Sequence, residues 1–499
     1  MDAARRPSPH FSPRHGHLVW FSGVALLLYG LFCWKHASIQ PGGADSSGYF
    51  NLARCIANGT VHVPARPLPD FALKDAPPYT YAPLGFRPSG DGRTLTPTYP
   101  PGLPLLFAAA APLLGWKFGP HVVMVLHAIA GVWLVFALAR QAGLSVWSGA
   151  IGAAMLAISP LYLMFSLQAM SDVPALVWSA LALWLAGRRK LGAVVLAGMA
   201  TGMAVLIRPS NLLLGLPLLV ALGWDWRRWV ALVSGGAPAA VALVIYNRAA
   251  YGTALATGYG DVGTLFSSAW VGMTLQHYAQ WLPMLLSPLI LAAVALPLRA
   301  RHHAHSSLVH GSWILTVCGF YAGYFHTHET WWYLRFILPA VPSLILAALL
   351  VLESLVLHFD RASARLAMVT TAVVAMVANG WYWNRRFEIH QVGRNERIYS
   401  EAIELTRQHI PAHAVIIAMQ TSGALFYGVN NPIVRWDTLE GNWPRILSAS
   451  QKAGLPVYGV FFDFEPIEAF PEKTPGDWVK LVERRNLSLW QLNLPSQGD

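Results

Sequence analysis

The apolar segment HLVWFSGVALLLYGLFCWK (residues 17–35), followed by PGGADSSGYFNLARCIANG (41–59), decides the fold class of this 499-residue chain. At about 1.5 Å per residue, a helix over the first segment is nearly as long as the roughly 30 Å apolar layer of a bilayer. Similar apolar runs recur up to residue 383. With 55% hydrophobic and 12% charged residues, the composition is unlike that of a soluble enzyme. The sequence therefore predicts a polytopic α-helical membrane protein.

The net charge of +11 comes from short basic clusters in loops, a pattern typical of membrane topology signals and anionic lipid contact rather than nucleic-acid binding. Cys33, Cys55 and Cys318 have no paired spacing, so no disulfide framework or cysteine-based zinc site is expected. Basic residues precede the first apolar run and no small-residue cleavage site follows it. This pattern predicts an uncleaved first span.

The basic clusters also predict the topology, because cytoplasmic loops are enriched in Lys and Arg. They are RRPSPHFSPRH (5–15), RRK (188–190), RR (227–228), RARHH (299–303) and DRASAR (360–365). All of them share one side of the membrane only if the short apolar segment 103–115 does not cross it. We therefore predict an interfacial or re-entrant helix there. The whole chain is then predicted to have about eleven transmembrane helices. They lie in the inner (plasma) membrane, with the N-terminus cytoplasmic and the C-terminus extracytoplasmic.

Two domains are expected. Residues 1–383 would form the membrane domain, with a first external loop at 36–117, and residues 384–499 a small extracytoplasmic α/β domain. Thirteen of the 24 acidic residues lie in this last part, where the apolar runs shorten to strand length. The predicted elements there are a helix at 395–410 and strands at 414–419, 456–464 and 487–494.

The acidic residues of the membrane domain avoid the middle of the predicted spans, and most fall on the outer side. These outer acids are Asp45, Asp70, Asp75, Asp91, Asp172, Asp261 and Glu329. An ion-coupled transporter usually carries ionisable groups at membrane depth. The pattern therefore favours chemistry at the external membrane surface.

The segments ADSSGYFNLARCIANG (44–59) and TYPPGLPLLFAAAAPLLG (98–115) resemble the first external loop of the glycosyltransferase C superfamily, which includes protein O-mannosyltransferases and lipid A aminoarabinose transferases. The shared pattern is an acidic residue soon after the first span, an aromatic residue a few positions later, and Tyr-Pro-Pro opening a further apolar helix. The segments SLQAMSDVPAL (166–176), GMAVLIRPSNLLLGLPLLVAL (202–222) and WWYLRFILPAVPSLILAAL (331–349) are similar to the same group.

The resemblance implies transfer of a sugar from a polyprenyl-phosphate carrier to an acceptor, with inversion and with Asp45 as general base. Alternatively, Asp45 is the N-cap of a helix that starts there. Many superfamily members have two acids at this position, whereas here Ser46, Ser47 and Gly48 follow Asp45. A single acid suits metal-independent transfer, or a metal whose other ligands come from distant loops.

Arg208 and Arg335, at the outer ends of spans, are candidate clamps for the lipid phosphate, because a guanidinium matches phosphate oxygens in a two-pronged way. Their alternative role is snorkelling to headgroups. Asp172 is a second acid or a helix cap, and Tyr49 lines the sugar pocket or anchors at the interface. The full set of expected substrate-binding residues is Tyr49, Tyr99, Asp172, Arg208, His326, His328, Glu329, Tyr333 and Arg335.

The sequence HTHE (326–329) has the residue types of a metal site, but it lacks a second pair of ligands. We therefore assign no cofactor, with a divalent metal as the alternative. The expected partners are a polyprenyl-phosphate-linked sugar, membrane lipids and an acceptor that is a glycan, lipid or protein, with no nucleic acid. The rival functions are a transporter or flippase of lipid-linked sugars and a non-catalytic membrane scaffold.

Overall fold

The computed structural model describes residues 13–493 except 189, 300–302, 466, 467 and 469. The basic clusters 5–15, 188–190 and 299–303 therefore lie partly outside the described residues. The prediction that the N-terminus is cytoplasmic depends on residues of the first cluster, most of which are not described.

Helices make up most of the described chain. In the first half they are α1 (Pro13–His36), α2 (Gly43–Ala57), α3 (Gly102–Gln141), α4 (Val146–Ala157), α5 (Pro160–Ser166), α6 (Asp172–Ala186), α7 (Leu191–Ile207), α8 (Gly215–Leu222) and α9 (Trp226–Tyr251). The second half contains α10 (Val271–Leu286), α11 (Leu296–Arg299), α12 (Ala304–Ala322), α13 (Val341–Val356), α14 (Ala362–Arg386), α15 (Val392–Glu396), α16 (Ile398–His409), α17 (Ser422–Gly428), α18 (Trp443–Lys452) and α19 (Phe470–Lys473).

Tighter 3₁₀ turns connect several of these helices. They are Leu73–Asp75, Pro209–Leu214, Val262–Leu265, Ser268–Trp270, Pro288–Ala295, Phe325–His328, Trp331–Ala340, Ile389–Gln391 and Trp436–Thr438. Several of them follow or contain a proline, which has no amide hydrogen to give to the preceding turn. The 3₁₀ segment Trp331–Ala340 leads directly into α13, and the combined stretch Trp331–Val356 is the most enclosed of the long apolar segments.

Among the described residues, four helical stretches are long and apolar enough to cross a membrane, or five if the bent pair α4 and α5 is one span. The four are Gly102–Gln141, Trp226–Tyr251, Trp331–Val356 and Ala362–Arg386, and shorter apolar helices lie between them. The chain is thus a polytopic helical membrane protein, as predicted. The number of eleven spans stays a prediction.

The long helix α3 is broken at Gly115, whose backbone (φ 75°, ψ 162°) is not helical. Glycine adopts this positive φ without the steric penalty of a Cβ. The break separates the apolar stretch 102–114 from the helix that follows it. The sequence predicted two helical segments in this region, and the break at Gly115 agrees with that part of the prediction.

Close packing of α7 against α9 depends on glycines on the facing sides of the two helices. A Cβ at Gly198 would overlap the carbonyl oxygen of Leu232, and a Cβ at Gly235 would overlap that of Val195. Small residues allow helix backbones to approach closely where lipid provides no hydrophobic driving force. This packing positions α7, whose last helical residue is followed by Arg208.

The C-terminal part forms a mixed sheet with strand order β5-β4-β6-β8-β7 in the numbering that follows. Three short strands precede it in the loop between α2 and α3. The strands are β1 (Val63–Pro64), β2 (Phe86–Pro88), β3 (Thr94–Pro97), β4 (Val415–Ala418), β5 (Ile433–Arg435), β6 (Val457–Phe462), β7 (Asp477–Arg484) and β8 (Leu487–Asn493). The predicted helix at 395–410 and the three predicted strands are present as α16, β4, β6 and β8. The last predicted strand residue, Leu494, lies outside the described residues.

The loop between α2 and α3 shares one hydrophobic core with the C-terminal sheet. Its Leu68, Phe71 and Tyr81 are buried against residues of the sheet and its helices, including Val415 and Phe461. A shared core requires the two parts to lie on the same side of the membrane. The candidate site lies where this combined unit meets the ends of the membrane helices.

Candidate active site

Asp45 lies in the first turn of α2, the helix that starts a short loop after α1. The N-cap residue of α2 is Gly42, in an extended conformation (φ −95°, ψ 151°), so Asp45 does not hold the cap position. Its Oδ2 instead accepts a hydrogen bond of 2.9 Å from Nη1 of Arg335. The carboxylate thus faces the end of the most enclosed span.

Asp172 is the first residue of α6 and is fully buried. Ser171 holds the N-cap position, so the cap alternative does not apply to Asp172 either. The Oδ1 atom of Asp172 accepts a 2.6 Å hydrogen bond from Nη2 of Arg208. Its Oδ2 atom lies 4.0 Å from Nη1 of Arg335 and has no hydrogen-bond partner among the described residues.

Four charged side chains therefore alternate in sign across the site, in the order Asp45, Arg335, Asp172, Arg208. Asp172 is inaccessible, whereas the side chains of Asp45, Arg335 and Arg208 are 23%, 17% and 14% exposed. The two negative and two positive charges of the cluster balance. Among the described residues, Oδ2 of Asp172 and Nε of Arg335 have no hydrogen-bond partner.

The Asp45 carboxylate is ionised at neutral pH. Burial alone would raise its pKa, but the Arg335 guanidinium and a hydrogen bond from Tyr99 hold it below the ordinary value. Burial and the nearby Asp45 charge raise the pKa of the Tyr99 phenol well above its ordinary value. Tyr99 therefore remains a neutral hydrogen-bond donor to Asp45.

The predicted tyrosines line one side of the site. The Tyr49 hydroxyl donates a 2.9 Å hydrogen bond to Oγ of Ser171, the residue before the buried acid Asp172. The rings of Tyr49 and Tyr99 lie 5.0 Å apart, centroid to centroid, and Tyr99 meets Tyr259 edge-on at 6.0 Å. Six predicted residues thus meet here: Asp45, Tyr49, Tyr99, Asp172, Arg208 and Arg335.

Three further predicted residues form a second group that borders the first. His326 and Glu329 are paired through Nδ1 and Oε2 at 2.5 Å, each about one-third exposed. The His326 ring lies 5.7 Å from that of Tyr333, and Tyr333 stacks on Phe336 at 5.8 Å. The ring of Phe336 lies 5.3 Å from the Arg335 guanidinium, which links the two groups.

His328 is the predicted residue that the structure directs elsewhere, since its ring stacks on Trp270 at 5.4 Å while His326 pairs with Glu329. The two histidines therefore do not converge on one point. Within the described part of the chain, no group of three or more His, Cys, Asp or Glu side chains is arranged to hold a metal ion.

Sequence reasoning missed three residues of the site: Ser171, Tyr259 and Phe336. Ser171 and Phe336 adjoin the predicted Asp172 and Arg335, so they were within the recognised segments but gave no separate signal. Tyr259 lies in the loop between α9 and α10, far from those segments in sequence. Only the folded chain brings it to Tyr99.

The C-terminal unit, the described residues from 384 to 493, holds the helix that carries Asp45. Asn51 Nδ2 donates to the Gly423 carbonyl at 3.1 Å, and Arg54 Nη1 donates to the Tyr427 carbonyl at 2.7 Å. The Arg54 guanidinium also lies 3.3 Å from the centroid of the Tyr427 ring. A Cβ at Gly423 would overlap the Ser47 side chain. Helix α2 is therefore fixed between the membrane helices and the C-terminal unit.

Residues 99–251 match the family model described as dolichyl-phosphate-mannose-protein mannosyltransferase. This segment includes Tyr99, Asp172 and Arg208 and ends before Tyr259. The curated protein sequences contain no match to the chain.

Solved structures match nearly the whole chain. ArnT from Cupriavidus metallidurans in the apo state has a TM-score of 0.58 at 16% identity, covering 96% of this chain and 98% of that chain. ArnT bound to undecaprenyl phosphate gives 0.56 at 15% identity, with 95% and 98% covered. AglB, an oligosaccharyltransferase from Archaeoglobus fulgidus, in complex with an inhibitory peptide and a dolichol-phosphate, gives 0.53 at 12%, with 92% and 71% covered. These matches show that the chain has the fold of those proteins, and together with the family-model match over residues 99–251 they support the predicted resemblance to the glycosyltransferase C superfamily.

The buried pair of Asp172 and Arg208 generates a prediction that is independent of any activity. Arg208→Gln leaves the fully buried Asp172 charge without its closest cation, and breaking a buried pair costs about 3–5 kcal/mol. We expect a marked fall in the thermal midpoint of the detergent-solubilised protein. The double variant Asp172→Asn, Arg208→Gln is expected to regain much of that loss, because no buried charge is left unpaired.

The single variant Asp172→Asn completes this cycle. Additive effects of the two substitutions would show that the two side chains are not coupled, which would contradict the 2.6 Å ion pair between Asp172 and Arg208.

Proposed function

We propose that this protein is a membrane glycosyltransferase that moves a sugar from a polyprenyl-phosphate carrier to an acceptor at the outer face of the membrane, with inversion at the anomeric carbon. The observation that carries the proposal is the partly exposed cluster of two carboxylates and two guanidiniums at the end of the most enclosed span. The family-model match and the structural likeness to ArnT bound to undecaprenyl phosphate support the carrier class.

The carrier phosphate would bind to Arg335 and Arg208. Both guanidiniums are partly exposed, and Arg335 has an Nε with no partner among the described residues. Guanidinium groups bind phosphate oxygens through paired hydrogen bonds. In a site shielded from water they stabilise the negative charge that grows on the departing polyprenyl phosphate.

Asp45 would act as the general base. It accepts the proton of the acceptor hydroxyl or amine while the acceptor atom forms a bond to the anomeric carbon of the sugar. The bond between that carbon and the phosphate oxygen breaks, and its electron pair leaves with polyprenyl phosphate. Attack on the face opposite to the leaving phosphate inverts the anomeric centre.

The ion pair between Asp45 and Arg335 couples donor binding to the strength of this base. Before the donor binds, Arg335 lowers the pKa of Asp45 and so weakens its basicity. A phosphate that engages Arg335 competes with the carboxylate for the same cation and adds negative charge nearby. The basicity of Asp45 then rises when a sugar donor is in place.

The remaining predicted residues are proposed to bind substrate around this centre. Tyr49, Tyr99 and Asp172 adjoin the charged cluster directly. His326, Glu329 and Tyr333 border it through Phe336, whereas His328 stacks on Trp270 in the loop before α10 and would contact only the outer part of a bound substrate.

The proposed orientation puts the site and the C-terminal unit outside the cell, in the inner (plasma) membrane. The shared core of the α2–α3 loop and the C-terminal sheet supports a common side for both. We retain 1–383 as the catalytic membrane domain and 384–499 as the extracytoplasmic domain, with contacts to α2 that stabilise the site.

The first test measures release of free undecaprenyl phosphate from a panel of radiolabelled undecaprenyl-phosphate sugars by protein in lipid nanodiscs. Wild type is expected to release it from at least one donor. Asp45→Asn removes the base with little change in shape, and its turnover should fall by about 10²–10⁴-fold.

Asp70→Asn is the matched control, because Asp70 is an exposed acid of the same external loop. Equal turnover by wild type and Asp45→Asn would exclude Asp45 as base and leave the donor assignment standing. A wild-type protein inert toward every donor would favour the transporter or the scaffold function.

The pH dependence of kcat/KM tests the coupling between Arg335 and Asp45. In wild type the acid limb is expected at lower pH than an unperturbed aspartate would give, because the Arg335 guanidinium holds the pKa of Asp45 under its ordinary value. Arg335→Gln removes the cation, and burial then raises that pKa. The acid limb of the residual turnover should move to higher pH. An unchanged limb would show that Arg335 does not control the ionisation of Asp45.

A further inference from the structure

The loop between α9 and α10 brings a half-exposed aromatic residue to the candidate site. Tyr259 is 47% exposed, and its ring meets that of Tyr99 edge-on at 6.0 Å. Tyr99 in turn contacts Tyr49, and those two tyrosines are only 7% and 3% exposed. Of the three rings, Tyr259 therefore presents the most open surface to an incoming molecule.

This loop is fixed on the segment that precedes α3. The backbone of Gly258 lies so close to Thr98 that a Cβ at Gly258 would overlap the Thr98 carbonyl. Arg87 Nη1 approaches the Gly258 carbonyl at 3.4 Å, and the Tyr251 hydroxyl donates to the Pro97 carbonyl at 3.0 Å. Tyr259 is consequently held beside the site by contacts on both sides of the turn.

The charges of the site also shift the pKa of the Tyr259 phenol. Partial burial raises its pKa well above the ordinary value, Tyr49 and Asp45 raise it further, and Arg208 and Arg335 act in the opposite direction. The phenol is therefore a neutral hydrogen-bond donor close to the charged cluster.

We propose that Tyr259 forms the outer wall of a subsite for the sugar of the lipid-linked donor. This inference rests on the proposed function, since the phosphate position at Arg335 and Arg208 sets where the sugar lies. A sugar attached to that phosphate must be within reach of both the phosphate clamp and Asp45, the region that Tyr259 faces. The residue contributes to sugar recognition and leaves recognition of the lipid and the phosphate to other groups.

The chemistry of the side chain suits this role. An aromatic ring offers an apolar face to the C–H groups of a sugar ring, while the phenol hydroxyl donates to or accepts from sugar hydroxyls. Ligand sites typically combine such apolar surfaces with a few placed polar groups. The ring and the hydroxyl make separable contributions, which two substitutions resolve.

The test compares equilibrium binding of two kinds of lipid to the full-length protein in nanodiscs: undecaprenyl phosphate without a sugar, and undecaprenyl-phosphate mannose, glucose and arabinose. Wild type is expected to bind at least one sugar-bearing lipid more tightly than the bare phosphate. Tyr259→Ala should weaken binding of that lipid by about tenfold, the effect of losing one good contact, with bare-phosphate affinity unchanged. Tyr259→Phe should show a smaller loss.

Tyr382→Ala is the matched control, because Tyr382 is also about half exposed but lies on α14, away from the candidate site. Gly258→Ala disturbs the contact of the loop with Thr98 but keeps Tyr259. It should reproduce the selective loss of affinity for the sugar-bearing lipid. An equal loss of affinity for bare and sugar-bearing lipid in Tyr259→Ala, or no loss for either, would overturn the subsite. A wild-type protein that binds none of the lipids would overturn the proposed function itself, a result distinct from both.

Discussion

The interaction on which the site depends is the ion pair between Asp45 on α2 and Arg335 at the start of the most enclosed span. It joins two parts of the chain that are nearly three hundred residues apart. It also holds both charged groups in a partly exposed position, where neither would be stable alone. Asp172 and Arg208 extend the pair into a balanced cluster, so that four charges are retained beside the membrane without a net charge.

A balanced cluster of this kind is well suited to receive an anion. In the reaction that we propose, an incoming phosphate would find cations that are already positioned, and Asp45, displaced from Arg335, would become a stronger base. Arg335, which contacts Asp45 directly, would thereby couple donor binding to proton transfer. The C-terminal unit binds α2 through Asn51 and Arg54. These contacts hold α2 in the position in which Asp45 contacts Arg335.

The sequence predicted much of this arrangement because its signals are local. Apolar runs identify membrane helices, and isolated charges at their ends, such as Asp45, Arg208 and Arg335, stand out against an apolar background. Which side chains form pairs with one another depends on tertiary packing, and no local sequence pattern indicates it. The partnership of Asp172 with Arg208, the separation of His326 from His328 and the approach of Tyr259 therefore appeared only in the folded chain. The two helix caps predicted as alternatives, at Asp45 and Asp172, were wrong because Gly42 and Ser171 hold those positions.

The proposed reaction requires Arg335 to bind the phosphate of a polyprenyl carrier beside Asp45. The most direct measurement compares the affinities of nanodisc-embedded wild type and Arg335→Gln for undecaprenyl phosphate and for the uncharged alcohol undecaprenol. Wild type should bind the phosphate much more tightly than the alcohol, and Arg335→Gln should lose most of that difference while its weak binding of the alcohol is kept. Equal affinity of wild type for the two lipids, or a preference for phosphate that survives Arg335→Gln, would show that Arg335 does not bind the carrier phosphate.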